Sequence, residues 1–353
     1  MSNIDSLPDK PEFNHGGKLE QIKHAYPRQK LDWIDLSTGI SPFSYPIADE
    51  IIDLKVLPQH QELLTQAACR YYKTQYLTVI PGSMWAIQML PILRKLSGID
   101  VRPILLPKQG FNEHQKSWRA QGYNIEVYDD VPSDQQLNHA QACVVINPNN
   151  PTGRLIKATV LKDMLKILTS NGAWLIVDEA FIDPYQISNL DKYSMSNRVA
   201  DENLIVLRSF GKFFGLAGLR LGVILANKVI QNNISSLLNN WSINNTAQAI
   251  GIKAWLDNSW QSQTNKKLVL AGERLRLLFI TLNYTTVGTV FFQTLYIKNA
   301  NQLYELLLTK GIYTRLLDNE NGIRFGLPST ELHWQRLEQV LTTLHSDKLI
   351  QST

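Results

Sequence analysis

"ACVVINPNNPTGRLIKATVLKDMLKILTSNGAWLIVDEAF", residues 142–181, is the stretch on which the fold class turns. It opens with an uninterrupted apolar run, Ala142 to Ile146, that stops at a turn of Asn, Pro and Gly. Residues 158–171 then place apolar side chains at helical spacing. A second apolar run, from Ala173, ends on Asp178 and Glu179. A strand wetted on one face alternates apolar and polar residues. Two unbroken runs joined by an amphipathic helix instead predict parallel strands buried on both faces.

The same pattern extends in both directions. "QELLTQAACRYY" (61–72) and "MWAIQMLPILRKL" (84–96) have helical spacing, with the short run "LTVI" (77–80) between them. "VRPILL" (101–106) and "NIEVY" (124–128) read as strands around the helix "FNEHQKSWRAQ" (111–121). "NLIVLRSF" (203–210) and "LRLGVILA" (219–226) read as two more strands. Strands alternating with helices predict an α/β fold with a mostly parallel sheet covered on both faces. Beyond residue 230 long helices run to about 282, followed by "VFFQTLYI", "GIYTRL", "GIRFGL" and a last helix. The predicted organisation is an irregular arm over 1–45, a large domain over 46–230, and connecting helices with a smaller α+β domain over 231–353.

The chain has 353 residues, 44% hydrophobic and 19% charged, an ordinary globular composition. Its net charge of +4 is spread out with no Lys/Arg run, which argues against nucleic acid and suits a small anionic substrate. Cys69 and Cys143 are far apart and share no metal-ligand spacing with a histidine, so no metal site is expected and both thiols read as reduced. "MSNIDSLPDKPEFNHGG" (1–17) lacks the basic start and apolar core of a signal peptide, and no stretch reaches the length of a membrane span. A cytoplasmic protein is expected.

In open parallel sheets ligands bind beyond the carboxyl ends of the strands, so the strand exits are where chemistry is expected. Asp178 and Glu179 each need a partner there: an ionic core pair, or a cationic heteroaromatic nitrogen. Asn147, Asn149 and Asn150 sit in a Pro/Gly frame and are either turn residues or amide donors held at a site. Gly82, Ser83 and Met84 open a helix after a strand, where backbone N–H groups can hold a phosphate, although most such turns bind nothing. "RSFGKFFGLAGLRLG" (208–222) sets Ser209, Lys212 and Arg220 around a glycine-rich turn. Hydroxyl, ammonium and guanidinium together suit an anion and an amine chemistry; the plainer reading of Lys212 is a surface lysine on a loop.

These four elements, in the chain order 82–84, 147–150, 178–179 and 208–222, resemble the pyridoxal-phosphate enzymes of the aspartate-aminotransferase fold type. They are most similar to the branch holding the histidinol-phosphate aminotransferases and the threonine-phosphate decarboxylases of cobalamin synthesis. "FNHGGKLEQIKHAYP", "WIDLSTGISPFSYP", "DEAFID" and "NNWSINNTAQAIG" look like the decarboxylase group. The resemblance implies a large domain with a seven-stranded sheet, a smaller C-terminal domain and a homodimer. It implies pyridoxal 5'-phosphate joined to Lys212, with Asp178 on its ring nitrogen and Asn150 on its ring oxygen. His114 would stack on the ring, and Gly82, Ser83, Met84, Ser209 and Arg220 would hold the phosphate. The substrate, a small phosphorylated amino acid, would meet Arg324 through its carboxylate and Arg315 through its phosphate, with His15 and the Ser37–Gly39 turn covering it. The implied reaction is decarboxylation of L-threonine O-3-phosphate, with histidinol-phosphate transamination as the rival and a non-catalytic scaffold of the same fold as the alternative of another class.

This chain departs from that pattern at several positions. Lys18 stands where the arm usually has Asn, and Gly211 where many relatives have a hydroxyl. Phe181 replaces a tyrosine of many aminotransferases, and Leu57-Pro58 replaces a Tyr-Pro pair.

Overall fold

The structure, a computed structural model, describes residues 16–26, 32–47, 55–59, 62–98, 100–185 and 192–346. Its largest element is a seven-stranded sheet: β1 (Leu77–Ile80), β2 (Ile104–Pro107), β3 (Ile125–Tyr128), β4 (Ala142–Ile146), β5 (Trp174–Asp178), β6 (Leu204–Ser209) and β7 (Gly222–Ala226). The spatial order is β1-β7-β6-β5-β4-β2-β3. Every neighbouring pair is parallel except the two made by β7. This is the mostly parallel α/β sheet that residues 142–181 imply, and every residue of β4 to β7 is buried.

Strand alternation sorts those buried residues into two layers. Ile104 and Leu106, Ala142 and Val144, Trp174 and Ile176, Ile205 and Leu207, and Ile224 and Ala226 form one core cluster. Helices Ser83–Leu96, Glu113–Ala120 and Lys228–Leu237 cover it with Ile87, Leu90, Leu93, Trp118, Ile230 and Ile234. The intervening residues, among them Leu105, Cys143, Leu175, Val177, Val206 and Leu225, are buried as completely and face the other way.

The chain forms two compact units whose bounds run differently from the sequence-derived ones. One comprises residues 40–276 and 287–293, and the other 1–39, 277–286 and 294–353. Residues 231–276 thus group with the large sheet, because helix Asn245–Leu256 packs along helix Glu62–Tyr72. A four-stranded sheet follows, β8 (Thr286–Thr289), β9 (Phe292–Tyr296), β10 (Arg315–Leu316) and β11 (Gly322–Gly326), in the order β10-β11-β9-β8. Among the described residues no helix is long and apolar enough to cross a membrane.

Candidate active site

Asp178 is the last residue of β5 and Ser209 the last of β6. By strand alternation both lie on the face that helix Ser83–Leu96 covers, in phase with Ile176 and Leu207. Lys212 follows on the one-turn helix Phe210–Phe213. Ser83, Met84, Asp178, Ser209, Lys212 and Arg220 line one cavity at these strand ends, and Asn150 lines it too.

One end of this cavity has the groups that can hold an anion. The helix begins at Ser83 with no acidic residue in its first turn, so its leading N–H groups and positive dipole end are uncancelled. Gly82 precedes it at φ +81, and a Cβ there would lie 3.0 Å from Arg220 Nη2. The glycine therefore lets the guanidinium close against the helix start. Arg220 itself adopts φ +54, which disfavours a non-glycine residue by roughly 1–2 kcal/mol, and its Nη1 donates to the Ala217 carbonyl at 3.1 Å. Gly211 has a packing reason: a Cβ there would come within 2.6 Å of Ala217 Cα, so the turn has no room for a hydroxyl side chain.

The other end holds a buried carboxylate and an amine. Asp178 Oδ1 accepts from the Ala180 N–H at 3.1 Å, and Oδ2 lies 2.9 Å from His114 Nε2. His114 is held by its edge to Asp178 while Phe111, which also lines the cavity, meets it edge-on at 6.5 Å. Lys212 Nζ lies 5.4 Å from the centre of the Phe181 ring, and Phe181 packs edge-on against Phe291 and Phe292. The Lys212 carbonyl accepts from Ser41 N at 2.9 Å.

The three asparagines separate by role. Asn147 is fully buried and bonds Ile156 in both directions, with a further donation to the Tyr193 carbonyl, which is turn chemistry. Asn149 donates to the Gln109 carbonyl. Of the three, Asn150 alone lines the cavity. Both Asn-Pro bonds, before Pro148 and Pro151, are cis. Glu179 points away from Asp178 into a buried cluster with Arg208, where burial pushes its carboxyl above the usual range against the pull of Arg208.

The other unit carries the arginine candidates. Arg315 on β10 and Arg324 on β11 are directly opposed partners in an antiparallel pair. Like charges so placed repel, which favours a ligand of opposite sign. Burial, and then Arg315, bring the Arg324 guanidinium down to about 10. Arg324 Nη2 donates to the Ser37 carbonyl at 2.6 Å, and Arg315 pairs with Asp318 at 2.6 Å. The turn leading to Gly39 is closed by Ser37, whose N and Oγ donate to Asp35 Oδ1, and Gly17 N donates to Ser37 Oγ. His15 lies outside the described residues.

Residues 48–321 match the family model of aminotransferase class I and II. The chain belongs to this family. Class I and II aminotransferases are pyridoxal-phosphate enzymes, and the cavity fits that cofactor: an anion cradle at one end, a buried carboxylate at Asp178 and an amine at Lys212. The chain is 36% identical to a threonine-phosphate decarboxylase of Pseudomonas aeruginosa, over 93% of this chain and 97% of that one. It is 31% identical to a threonine-phosphate decarboxylase of Sinorhizobium sp, over 94% and 98%. The fold matches that of the histidinol-phosphate aminotransferase of Sinorhizobium meliloti in complex with pyridoxal-5'-phosphate, with TM-score 0.77, 17% identity, and 97% and 100% of the two chains covered. Phe111 lines the cavity although no motif in the sequence singles it out. Its signal is the spacing, an aromatic residue three positions before His114, one helical turn away.

Proposed function

We propose that this enzyme decarboxylates L-threonine O-3-phosphate to (R)-1-amino-2-propanol O-2-phosphate for cobalamin synthesis. The observation that carries the reading is the similarity to threonine-phosphate decarboxylases along 93% and 94% of the chain. Two features of the molecule support it. The opposed Arg315 and Arg324 suit a substrate with two anionic groups, a carboxylate and a phosphate. The wall beside Lys212 is apolar, Phe181 with Phe291 and Phe292, where a tyrosine would bring a hydroxyl.

In this reading Lys212 binds the cofactor, Ser83, Met84, Ser209 and Arg220 hold its phosphate, and Asp178 and Asn150 hold its ring. His114 orients Asp178. Bound there, pyridoxal phosphate supplies an electron sink for the pair left at Cα when a bond to it breaks. Arg324 orients the substrate carboxylate, which decides whether the bond to CO2 or the bond to hydrogen is the one that breaks. Arg315 grips the phosphate. Lys212 is the group placed to hold the proton that Cα takes up after CO2 leaves.

The working unit is proposed to be a cytoplasmic homodimer. Val56, Leu57, Leu63 and Trp241 are all more than half exposed, and Asn245 Nδ2 donates to the Val56 carbonyl at 2.8 Å. Trp241 adopts φ +64, an unusual backbone state for a bulky residue. A second copy of the chain covers such a face. The two cysteines are free, as a reducing compartment keeps them.

Incubation with L-threonine O-3-phosphate and no 2-oxo acid tests the reaction. Evolution of CO2 with formation of the amino-alcohol phosphate is expected. No CO2, with glutamate formed from histidinol phosphate and 2-oxoglutarate, would establish the aminotransferase instead.

A further inference from the structure

Two pairs of consecutive residues straddle the sheet at the cavity. In Asp178-Glu179 and Arg208-Ser209, one member of each pair lines the cavity and the other points to the opposite face. Glu179 continues the ladder by donating its N–H to the Leu207 carbonyl at 2.9 Å. On the far face Arg208 Nη1 reaches Glu179 Oε2 at 3.4 Å and Ser196 Oγ accepts from it at 3.1 Å. Arg208 Nη2 donates to Asp183 Oδ1 at 2.8 Å, and the guanidinium lies 4.8 Å from the centre of the Tyr72 ring.

The carboxylates are saturated by further donors. Glu179 accepts from Ser194 Oγ and Met195 N, each at 2.7 Å, and Asp183 accepts from Tyr71 Oη at 2.7 Å. Arg208 and Glu179 are completely buried and Asp183 nearly so. A buried ionic cluster of this kind is a weak source of net stability, because desolvation opposes the attraction. Its geometry is nevertheless stiff: a planar guanidinium bridges two carboxylates across the ends of β5 and β6.

We propose that Glu179, Arg208 and Asp183 are positioning residues, a clamp on the back of the sheet that sets the spacing of Asp178, Ser209 and Lys212 on its front. The mechanical link is the strand itself. Consecutive side chains point to opposite faces, so the rotation and advance of β5 and β6 that satisfy the clamp also aim Asp178 and Ser209. Loss of the clamp lets the two strand ends shift, and small misplacements of binding groups carry large penalties. The inference rests on the cofactor assignment of those three residues and is independent of which reaction follows.

The test is a titration of the cofactor-free enzyme with pyridoxal 5'-phosphate, without substrate, on Glu179→Gln, Arg208→Lys and Ser194→Ala. Lys212→Ala serves as the control for the site itself. Glu179→Gln and Arg208→Lys are expected to raise the cofactor dissociation constant about ten-fold or more and, in separate turnover assays with saturating cofactor, to lower kcat with little change in KM. Ser194→Ala removes one donor to Glu179 and keeps every charge, so a rise of about three-fold is expected. Lowered thermal stability with an unchanged dissociation constant, at a temperature where the variants are folded, would overturn the proposal. If Glu179→Gln does not fold, Ser194→Ala decides alone, and an unchanged constant in it overturns the clamp. An unchanged dissociation constant in Lys212→Ala would instead fault the cofactor assignment on which the clamp rests.

Discussion

Arg324 is buried, bonded to the Ser37 carbonyl and opposed by Arg315. Those surroundings weaken its hold on its proton, to about 10, so the guanidinium is a cation below that pH and progressively neutral above it. If it receives the substrate carboxylate, KM is expected to rise as pH climbs through about 10, which a KM-against-pH series reads directly. Arg324→Lys keeps a charge and loses the two-pronged grip. It is expected to raise KM roughly ten- to hundred-fold at neutral pH. Residue identity alone left the three asparagines open, because where a turn aims its side chains depends on backbone angles that no residue type dictates. Asn150 was a candidate from sequence; its place in the cavity, beside the structural Asn147, came from the fold. The Asp178–His114 hydrogen bond likewise joins residues 64 apart in sequence, so no local pattern announced it.

Elements were far more legible, because unbroken apolar runs have few alternatives to buried parallel strands. The helix over 83–96 was readable for the same reason, through its spacing and the turn before it. What closes its far end was not. Asp100 takes hydrogen bonds from Arg102 and pairs with Arg94 of that helix, tying it to the start of β2. The Arg102 hydrogen bond, foremost, lowers the Asp100 carboxyl from 3.8 to about 2. A depressed carboxylate stabilises the fold above its unfolded value and loses that contribution as pH falls through the folded one. Asp100→Asn is therefore expected to cost about 1–2 kcal/mol at neutral pH, after allowance for partial exposure. In urea titrations the gap between variant and parent should close between pH 3.8 and about 2.

At the scale of the whole molecule, the exposed Trp241, Leu57 and Val56 bear on assembly. Trp241→Asp is expected to shift the molar mass in solution from that of two chains to that of one, 40.2 kDa, as read by light scattering on a sizing column. An unchanged mass would remove this face from the interface. The α/β class, the positions of the strand exits, the lysine segment and the glycine turn before helix Ser83–Leu96 were all written in the sequence, since each rests on local periodicity or on residues close along the chain. Four such segments, in chain order, carry the resemblance to the family that residues 48–321 match. Tertiary structure alone decided the rest. It grouped residues 231–276 with the large sheet, opposed Arg315 to Arg324, and brought Arg208 to Glu179 and Asp183 behind the cavity. Those pairings join distant segments through sheet register and side-chain direction, which exist only once the chain has closed on itself.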